Sequence, residues 1–393
     1  MAKAAKKVKK EKKAPRAPRN PRNLRLAAVL AVLLVLLCVV LYAVARVSDA
    51  SAYAGVQDGF RSFFAGLSPG EGYPYALEAS SVLQISPMNS GVAYLTGEAS
   101  CVLNGTAKPL LVKKLSFQEP AMTAAHGRLL VYDRAGGAWF VQNASQQLLQ
   151  KEMGSGVLTA ALGKNGNVAV VTSAADAQGV LTVYDKSGKQ LLEFRCETER
   201  IASVSLSDDG KNAAILTLGA QNAQYFSRLL IFAYDRAEPI YEEKFQNTAG
   251  IRLQYTDSGK LQLFADTLFA CYSGSGERQT ELVFPAGSLV RLKTQENGRC
   301  LFALQGQTGG ALTTVYSYNR DGAKEFEKSC EDLRDIACGK SYSAILADGQ
   351  LTVLDTAGAQ QKQFPLTEYV RALALSGKMV YAVTLKSIQQ YSF

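Results

Sequence analysis

Short runs of alternating apolar and polar residues fill the chain from residue 73 to the C-terminus, and no helical periodicity persists there. Residues 181–194, LTVYDKSGKQLLEF, show the unit: an alternating apolar run, the segment Asp185–Gly188, and a second apolar run. Alternation with a period of two is typical of a half-buried strand, and Asp followed by Gly suits a tight turn between two strands. The pattern therefore predicts an all-β fold built from hairpins.

The first strand of this unit recurs along the chain. Its eight copies are Ala99–Asn104, Ala138–Asn143, Leu181–Asp185, Leu229–Asp235, Leu268–Tyr272, Leu312–Asn319, Leu351–Asp355 and Ser387–Phe393. A turn that contains Gly lies one strand before most copies, as at Asp208–Lys211 and Asp257–Lys260. Four strands per unit at a spacing of about 40 residues are the signature of a β-propeller blade.

The number of blades follows from the length of the repeat region and from its last unit. Residues 73–393 accommodate eight blades of about 40 residues or seven of about 46. We expect an eight-bladed β-propeller, with a seven-bladed one as the alternative. The chain stops one strand short of a complete last unit, and residues 73–79 could supply that outer strand. An N-terminal strand in this place would close the ring and remove its open edge.

Most of the basic charge lies in the first 25 residues. Met1–Arg25 contains seven Lys, four Arg and one Glu, whereas the whole chain has a net charge of +9, so the remainder is close to neutral at about −1. A segment so rich in charge and Pro cannot form a core, and we expect a disordered cytoplasmic tail. Because the repeat region has no basic excess, we expect no nucleic-acid partner.

An uncharged apolar run follows the tail. Leu26–Ala45 is 20 residues long and bracketed by arginines, and as a helix it would span about 30 Å, the thickness of the bilayer core. We expect a single transmembrane helix over residues 26–46; the alternative is a cleaved signal peptide that ends near Ala43–Ala45. The basic residues before the span place the N-terminus in the cytoplasm. The protein is thus expected in the cell membrane, with residues 73–393 outside the cytoplasm.

Residues 47–72 contain an amphipathic pattern. Apolar residues recur at helical spacing at Val56, Phe60, Phe63, Phe64 and Leu67, before a Ser-Pro-Gly sequence that ends the helix. This helix could lie in the membrane interface, pack under the propeller or serve as a stalk, and the pattern does not separate these roles.

The repeat LTVYDKSGKQLLEF resembles those of quinoprotein (PQQ-like) and WD40-like propellers. In PQQ-like repeats the second strand ends in Trp, but this chain has Phe194 there and only one Trp in total, Trp139. The departure argues against a quinone cofactor, and we expect no cofactor. The whole layout of basic tail, single span and short blades resembles an uncharacterised membrane-anchored propeller family of Gram-positive anaerobes, domain of unknown function 5711. That resemblance implies the fold and no catalytic residues.

Residues suited to catalysis or metal binding are sparse. His126 is the only histidine, which excludes sites built from several histidines and indicates a surface turn residue. Asp185, Asp235 and Asp355 recur at one position of the repeat, and we expect them to cap turns. Trp139 is expected in the core. We therefore predict no catalytic or metal site and a protein that is not an enzyme.

Six of the seven cysteines lie beyond residue 73, and none has the CxxC spacing that would indicate zinc. Cys330 and Cys338 fall on the last predicted strand of blade six and the first of blade seven. They are the candidate disulfide pair if their Cα atoms lie within about 7 Å. The alternative, which we favour, is free thiols packed as small apolar side chains.

Three long loops between second and third strands are the candidate binding surface: Thr172–Gly179, Gly219–Ser227 and Gln305–Gly310. In a propeller these loops open on one rim. Small and polar residues around an aromatic pair suit adaptable contacts with a partner. The candidate binding residues are Asp176, Gln178, Gln221, Asn222, Tyr225, Phe226 and Gln307.

A well-specified fold without a catalytic constellation predicts a binding or scaffold module at the cell surface, which engages an envelope protein or a cell-wall polymer. The alternative is a hydrolase or lyase that acts on an envelope polymer through carboxylates around the central channel. This alternative predicts convergent Asp or Glu side chains at one channel mouth. A sensor that signals through the basic tail is the third hypothesis. It ranks last because a disordered tail of 25 residues contains no cytoplasmic domain that could receive the signal.

Overall fold

A computed structural model describes residues 68–393, apart from 78–80, 89–90 and 307–311. The predicted tail, the predicted span and residues 47–67 of the predicted amphipathic segment lie outside the described residues. Within them, 32 strands form eight antiparallel sheets of four strands each. The all-β prediction and the count of eight blades are confirmed, and the seven-bladed alternative is wrong.

The first four blades follow one another along the chain. Blade one comprises β2 (Gln84–Met88), β3 (Gly91–Leu95), β4 (Ala99–Asn104) and β5 (Pro109–Lys114). Blade two comprises β6 (Pro120–Ala125), β7 (Arg128–Asp133), β8 (Ala138–Gln142) and β9 (Gln147–Glu152). Blade three comprises β10 (Val157–Leu162), β11 (Val168–Thr172), β12 (Gly179–Tyr184) and β13 (Gln190–Cys196). Blade four comprises β14 (Arg200–Leu206), β15 (Asn212–Gln221), β16 (Gln224–Ala233) and β17 (Tyr241–Gln246).

The remaining blades complete the ring. Blade five comprises β18 (Gly250–Tyr255), β19 (Leu261–Ala265), β20 (Leu268–Tyr272) and β21 (Arg278–Val283). Blade six comprises β22 (Leu289–Thr294), β23 (Cys300–Gln305), β24 (Thr313–Tyr318) and β25 (Lys324–Cys330). Blade seven comprises β26 (Leu333–Cys338), β27 (Tyr342–Ala347), β28 (Gln350–Asp355) and β29 (Gln360–Pro365). Blade eight comprises β30 (Ala372–Ser376), β31 (Met379–Val383), β32 (Ser387–Ser392) and the N-terminal strand β1 (Tyr75–Ala76).

Strand β1 closes the ring, as predicted. It pairs antiparallel with β32, with Tyr75 opposite Ile388 and Ala76 opposite Ser387. The amide of Leu77 extends the ladder by donating to the carbonyl of Lys386 at 2.8 Å. Because the first described strand completes the last blade, every blade has four strands, and the two ends of the propeller hold each other in place.

The core lies between the blades rather than within them. Eight apolar clusters are found among the described residues, one for each pair of neighbouring blades. Phe194 packs on Phe232 of the next blade with ring centroids 4.5 Å apart, and the fully buried Trp139 lies 5.7 Å from Tyr184. Phe194 and Trp139 are therefore core residues, as predicted.

The antiparallel strands give the ring two different faces. We call the face that carries the connections from first to second strands and from third to fourth strands the turn face. The hairpin face carries the connections from second to third strands and those from one blade to the next. The chain joins the ring on the turn face, since Asn104 Nδ2 donates to Ser68 O at 2.7 Å and Gly72 N donates to Thr106 O at 3.0 Å.

The repeated turns of the turn face have the predicted chemistry. Asp185 Oδ1 accepts the amides of Ser187 and Lys189 at 2.8 and 2.9 Å, and Gly188 has a φ of 85°. Asp355 makes the equivalent bonds to two amides of its own turn. For both residues the predicted capping role is confirmed. Asp235 forms no such cap among the described residues, because β16 ends earlier and a longer connection follows.

Candidate binding surface

The three predicted loops all belong to the hairpin face. The first, between β11 and β12, is a loop in the structure, whereas the second is not a loop at all. Most of the third, including Gln307, lies outside the described residues. Six of the seven candidate binding residues can therefore be placed.

The segment predicted as the loop Gly219–Ser227 is the end of a long β-hairpin. Strands β15 and β16 each have ten residues, and their ladder continues to the pair Gln221 and Gln224. Asn222 and Ala223 form the two-residue turn, with φ values of 51° and 59°. The sequence prediction missed this hairpin because Ala occupies a turn position where Gly is the usual residue.

A cleft of about 490 Å³ opens beside this hairpin. Its wall is formed by Gln178, Thr198, Arg200, Leu218, Gly219, Ala220, Tyr225 and Ala249. The structure thus brings Gln178 of blade three together with Tyr225 of blade four, two of the predicted binding residues. Tyr225 is 40% exposed, and its hydroxyl donates to Asp266 Oδ2 at 3.3 Å. The cleft therefore has a mostly apolar wall. It also contains the ring of Tyr225, which its hydroxyl bond to Asp266 holds in place, and the exposed side chain of Gln178.

The other candidate residues have different roles. Phe226 is 7% exposed, and the ammonium of Lys244 lies 3.8 Å from its ring centroid, so its ring packs into the hairpin. Neighbouring strand residues point to opposite faces, so Phe226 is buried where Tyr225 is exposed, and its binding role stays a prediction. Gln221 and Asn222 are exposed at the hairpin tip, and Asp176 forms an ion pair with Arg195.

A buried ion pair supports the base of the hairpin. Glu199 is 5% exposed and binds the guanidinium of Arg228 through both oxygens, at 2.7 and 2.9 Å, and it also accepts the hydroxyl of Thr217. Arg228 also contacts Glu242 at 3.0 Å. Sequence reasoning missed this network, although Thr217 and Arg228, which face each other across the ladder, are polar residues in otherwise apolar strands.

Exposed large apolar side chains concentrate on the hairpin face. Those at or beside its connections are Leu83, Leu158, Tyr225, Ile251, Val283, Leu312, Tyr369 and Leu385. Of the other two such residues in the described part of the chain, Ile240 lies in a turn-face connection and Val112 lies on an outer strand. Eight of the ten exposed large apolar side chains in the described part of the chain thus lie on the hairpin face.

The same face is acidic. Its described connections contain ten acidic residues: Glu98, Glu119, Asp176, Glu197, Glu199, Asp266, Glu331, Asp332, Asp348 and Glu368. The basic residues in these connections are only Arg134, Arg371 and Lys386. Several of the acids, including Glu197 and Glu368, have no basic partner among the described residues. The connections of the hairpin face therefore combine apolar side chains with more acidic than basic residues, and three of these acids pair with arginines of adjoining strands.

The six described cysteines are free thiols, so the candidate disulfide is not formed. Cys330 is paired with Thr313 at the hairpin-face end of blade six, and Cys338 ends β26 at the turn face. The six residues of β26 span about 20 Å, too far for a disulfide. Burial raises the pKa of the Cys330 thiol, and it raises that of Cys338 to about 12. Neither thiol is therefore activated.

The innermost strands surround a central channel whose turn-face mouth is bridged. His126, in the turn after β6, has a φ of 52°, and its amide donates to Glu296 Oε2 of blade six at 2.6 Å. The His126 ring nitrogen Nδ1 lies 3.7 Å from the same oxygen, and Lys340 Nζ is 2.8 Å from Glu296 Oε1. His126 is in a turn, as predicted, but the contact across 170 residues of sequence could not be foreseen.

The electrostatics of this mouth follow from its ion pairs. Burial lowers the pKa of His126 and would by itself raise that of Glu296, but the hydrogen bonds from Lys340 and the His126 amide bring the pKa of Glu296 below its usual value. Asp208, the next carboxylate at this mouth, is paired with Lys164 at 3.0 Å. Each carboxylate is thus neutralised by its own lysine, and elsewhere the channel wall consists mostly of apolar and small polar residues.

The described part of the chain contains no group of three or more His, Cys, Asp or Glu side chains that could hold a metal ion. It also contains no helix long and apolar enough to cross a bilayer, and the predicted span lies outside this part.

Solved structures with the same fold share little sequence with this chain. BamB from Moraxella catarrhalis, a PQQ-like propeller, superimposes with a TM-score of 0.53 at 14% identity, covering 83% of this chain and 100% of its own. The C-terminal WD40 domain of Sif2 gives 0.58 at 13% identity, covering 81% and 99%. Sqt1 from Saccharomyces cerevisiae gives 0.58 at 10% identity, covering 83% and 100%. These likenesses confirm the PQQ-like and WD40-like character of the blades.

A sequence-family model described as "Family of unknown function (DUF5711)" matches residues 75–393, from β1 to the C-terminus. The match confirms the family resemblance that the repeats and the layout suggested. No functionally curated protein matches the chain.

Proposed function

The chain belongs to the family of unknown function DUF5711, and on that premise we propose that it is a membrane-anchored, extracytoplasmic binding module that docks a protein partner on its hairpin face. The single observation that carries the proposal is the coincidence of exposed apolar side chains and excess acidic residues on that face. A propeller can serve as a scaffold by presenting one binding surface on a rigid ring. The sequences of its connections then determine which partner it binds.

The chemistry of the hairpin face defines the partner. Apolar anchors such as Tyr225 and Tyr369, at 40% and 61% exposure, need apolar or aromatic side chains opposite them. The surrounding carboxylates attract basic residues, which speed association and orient the partner. The complementary surface is therefore a protein segment that alternates apolar residues with Lys or Arg.

The alternatives have weaker support. An anionic cell-wall polymer would be repelled by the acidic hairpin face. A carboxylate-dependent hydrolase or lyase needs a convergent pair of carboxylates, and the two at the described channel mouth, Glu296 and Asp208, are held in separate lysine pairs. No observation therefore favours these functions over the docking of a protein.

Photo-cross-linking in cells tests the proposal. A benzophenone amino acid is placed in the full-length protein at Tyr225 on the hairpin face, at Tyr369 on the same face, or at Ile240 on the turn face. Ile240 is a matched control because it is 45% exposed, close to the 40% of Tyr225. We expect discrete cross-linked species from the two hairpin-face positions and none from position 240.

The cross-linked peptide identifies the partner. A peptide that combines Lys or Arg with apolar residues supports the proposal. Cross-links that are equal on both faces, confined to position 240 or absent from all three positions contradict it. A glycan at the hairpin-face positions would favour the polymer alternative instead.

A further inference from the structure

The lumen of the propeller is divided into two lobes of about 670 and 450 Å³. Both lobes are lined by Thr123, His126, Arg252, Thr294 and Glu296, which therefore lie on the partition between them. At the turn face this partition includes the contact between His126 and Glu296. Volumes of this size are in the range of small-molecule sites, about 300–1,000 Å³.

Arg252 is the charged residue on this partition that has no partner. It lies on β18, the innermost strand of blade five, where Leu253 faces the core between blades and Arg252 faces the lumen. Among the described residues, no hydrogen-bond acceptor or carboxylate pairs with its guanidinium. The other enclosed arginines differ: Arg228 binds two glutamates, and Arg299 uses all five of its donors.

The surroundings of Arg252 favour an anion. Water in the lumen reaches the side chain, but the walls surround it, and this enclosure lowers the pKa of Arg252. Its electrostatic neighbour is the hydroxyl of Tyr132 from blade two, on the other side of the lumen. The guanidinium therefore lies inside the lumen without a carboxylate partner among the described residues, and its donors remain available to an anion that enters with the water.

Further donors lie in the same wall. Ser203 Oγ accepts the amide of Leu253 at 3.0 Å and Ser205 Oγ accepts the amide of Tyr255 at 2.8 Å, so each hydroxyl keeps its hydrogen for another acceptor. Lys293 adds a second cation to the lumen wall, 3.9 Å from Asp335. The lumen carboxylates Glu296 and Asp208 are at the turn-face mouth and already have lysine partners.

We propose that the lumen is a binding site for a small anionic ligand whose carboxylate or phosphate group is held by Arg252. The planar fork of a guanidinium binds two oxygens of such a group in parallel, and the hydroxyls of Ser203 and Ser205 supply further donors. This site is separate from the partner surface on the hairpin face. It does not depend on the proposed function.

Calorimetry on the full-length protein in detergent tests the site, with inorganic phosphate and succinate as separate probes. Arg252→Met removes the guanidinium and keeps an unbranched apolar chain, whereas Arg236→Met removes an exposed arginine of the turn face as a matched control. We expect saturable one-to-one binding of at least one probe to the unchanged protein. Loss of the charge-assisted bonds should weaken that binding by at least about tenfold in Arg252→Met only.

Thermal unfolding separates ligand loss from misfolding. The bound probe should raise the unfolding temperature of the unchanged protein and of Arg236→Met, and leave that of Arg252→Met unaltered. Without probe, Arg252→Met should unfold at about the same temperature as the unchanged protein, because the Arg252 side chain makes no hydrogen bond or ion pair with the described residues that its removal would break. Phosphate binding alone and succinate binding alone each support the site and identify the group it prefers. Binding of neither probe, equal binding by Arg252→Met, or equal loss in Arg236→Met overturns the proposal.

Discussion

The two faces of this propeller use their charges in opposite ways. On the turn face, ion pairs connect different blades: Lys164 with Asp208, Arg320 with Asp257, and Lys340 with Glu296. On the hairpin face, the ion pairs of Asp176 with Arg195, Glu199 with Arg228 and Asp332 with Arg334 each stay within one blade. The remaining acids of that face have few bases near them.

The ion pairs of the turn face join neighbouring blades, whereas those of the hairpin face do not. Exposed ion pairs contribute only about 0–1 kcal/mol each, so the buried side chain of Arg299, which we call the turn-face clamp, should contribute more than any exposed ion pair described on the turn face. That residue is 2% exposed and donates to Glu325, Ser317, Gly339, Tyr342 and Ser343, which joins blade six to blade seven. The hairpin face has no comparable link between blades among the described residues. Under the proposed function, the exposed acids and apolar side chains of this face contact the partner instead of joining blades.

The largest expected effect is the loss of the turn-face clamp. Arg299→Met leaves the partly buried Glu325 without its guanidinium and removes the nitrogen donor of the Gly339 carbonyl, which should lower the free energy of unfolding by about 3–5 kcal/mol. Urea unfolding can be followed through the fluorescence of Trp139, the only tryptophan, which is fully buried. Partner cross-linking at Tyr225 should be unchanged under conditions where the variant is folded.

Arg320→Met is the matched control for the clamp. Arg320 lies on the same face and pairs with Asp257 at 3.2 Å, but its side chain is 53% exposed. Its loss should change the free energy of unfolding by less than about 1 kcal/mol. Equal destabilisation by the two variants would contradict the distinction between the clamp and the surface pairs.

A smaller and local effect is expected at the hairpin face. Glu199→Gln removes one charge from the pair with Arg228, and loss of charge-assisted hydrogen bonds should cost about 1.5–3 kcal/mol. Because this pair stays within blade four, amide hydrogen exchange should increase mainly between residues 212 and 233. Partner cross-linking at Tyr225 should fall together with this local order. Exchange that increases equally in all blades would show that the two faces are not energetically distinct.

Much of the fold was predictable because it is local. The alternation of apolar residues, the turn chemistry of Asp185 and the missing last strand together predict the blades, their number and the closure by β1. Each of these features depends on neighbouring residues or on counting. The mistaken loop at Gly219–Ser227 is also local: the Asn-Ala turn lacks the Gly that would have marked a hairpin.

The candidate sites could be predicted only in part. Long polar connections led to Tyr225 and Gln178, which line one cleft in the structure. The burial of Phe226 depends on strand register, which the pattern does not give, and the binding role of all three residues stays a prediction. Arg252 and the bridge between His126 and Glu296 depend on which residues of distant blades face the lumen. No local pattern carries that information. The alternation within an inner strand shows which residues point away from the core, but not which residues of distant blades they meet across the lumen.

The smallest expected effect concerns the turn of the β15–β16 hairpin. Ala223 has a φ of 59°, a conformation that costs an L-residue about 1 kcal/mol and glycine almost nothing. Ala223→Gly should therefore raise the free energy of unfolding by roughly 0.5–1 kcal/mol in urea titrations. Ala220→Gly is the matched control. Because Ala220 lies in β15 opposite Tyr225, this substitution should lower the free energy of unfolding by a similar amount.

Because the hairpin tip belongs to the proposed docking face, a more stable hairpin should also strengthen partner capture at Tyr225. Unchanged capture in a more stable Ala223→Gly protein would move the contact away from the hairpin tip, toward the cleft beside Gln178 or the exposed Tyr369.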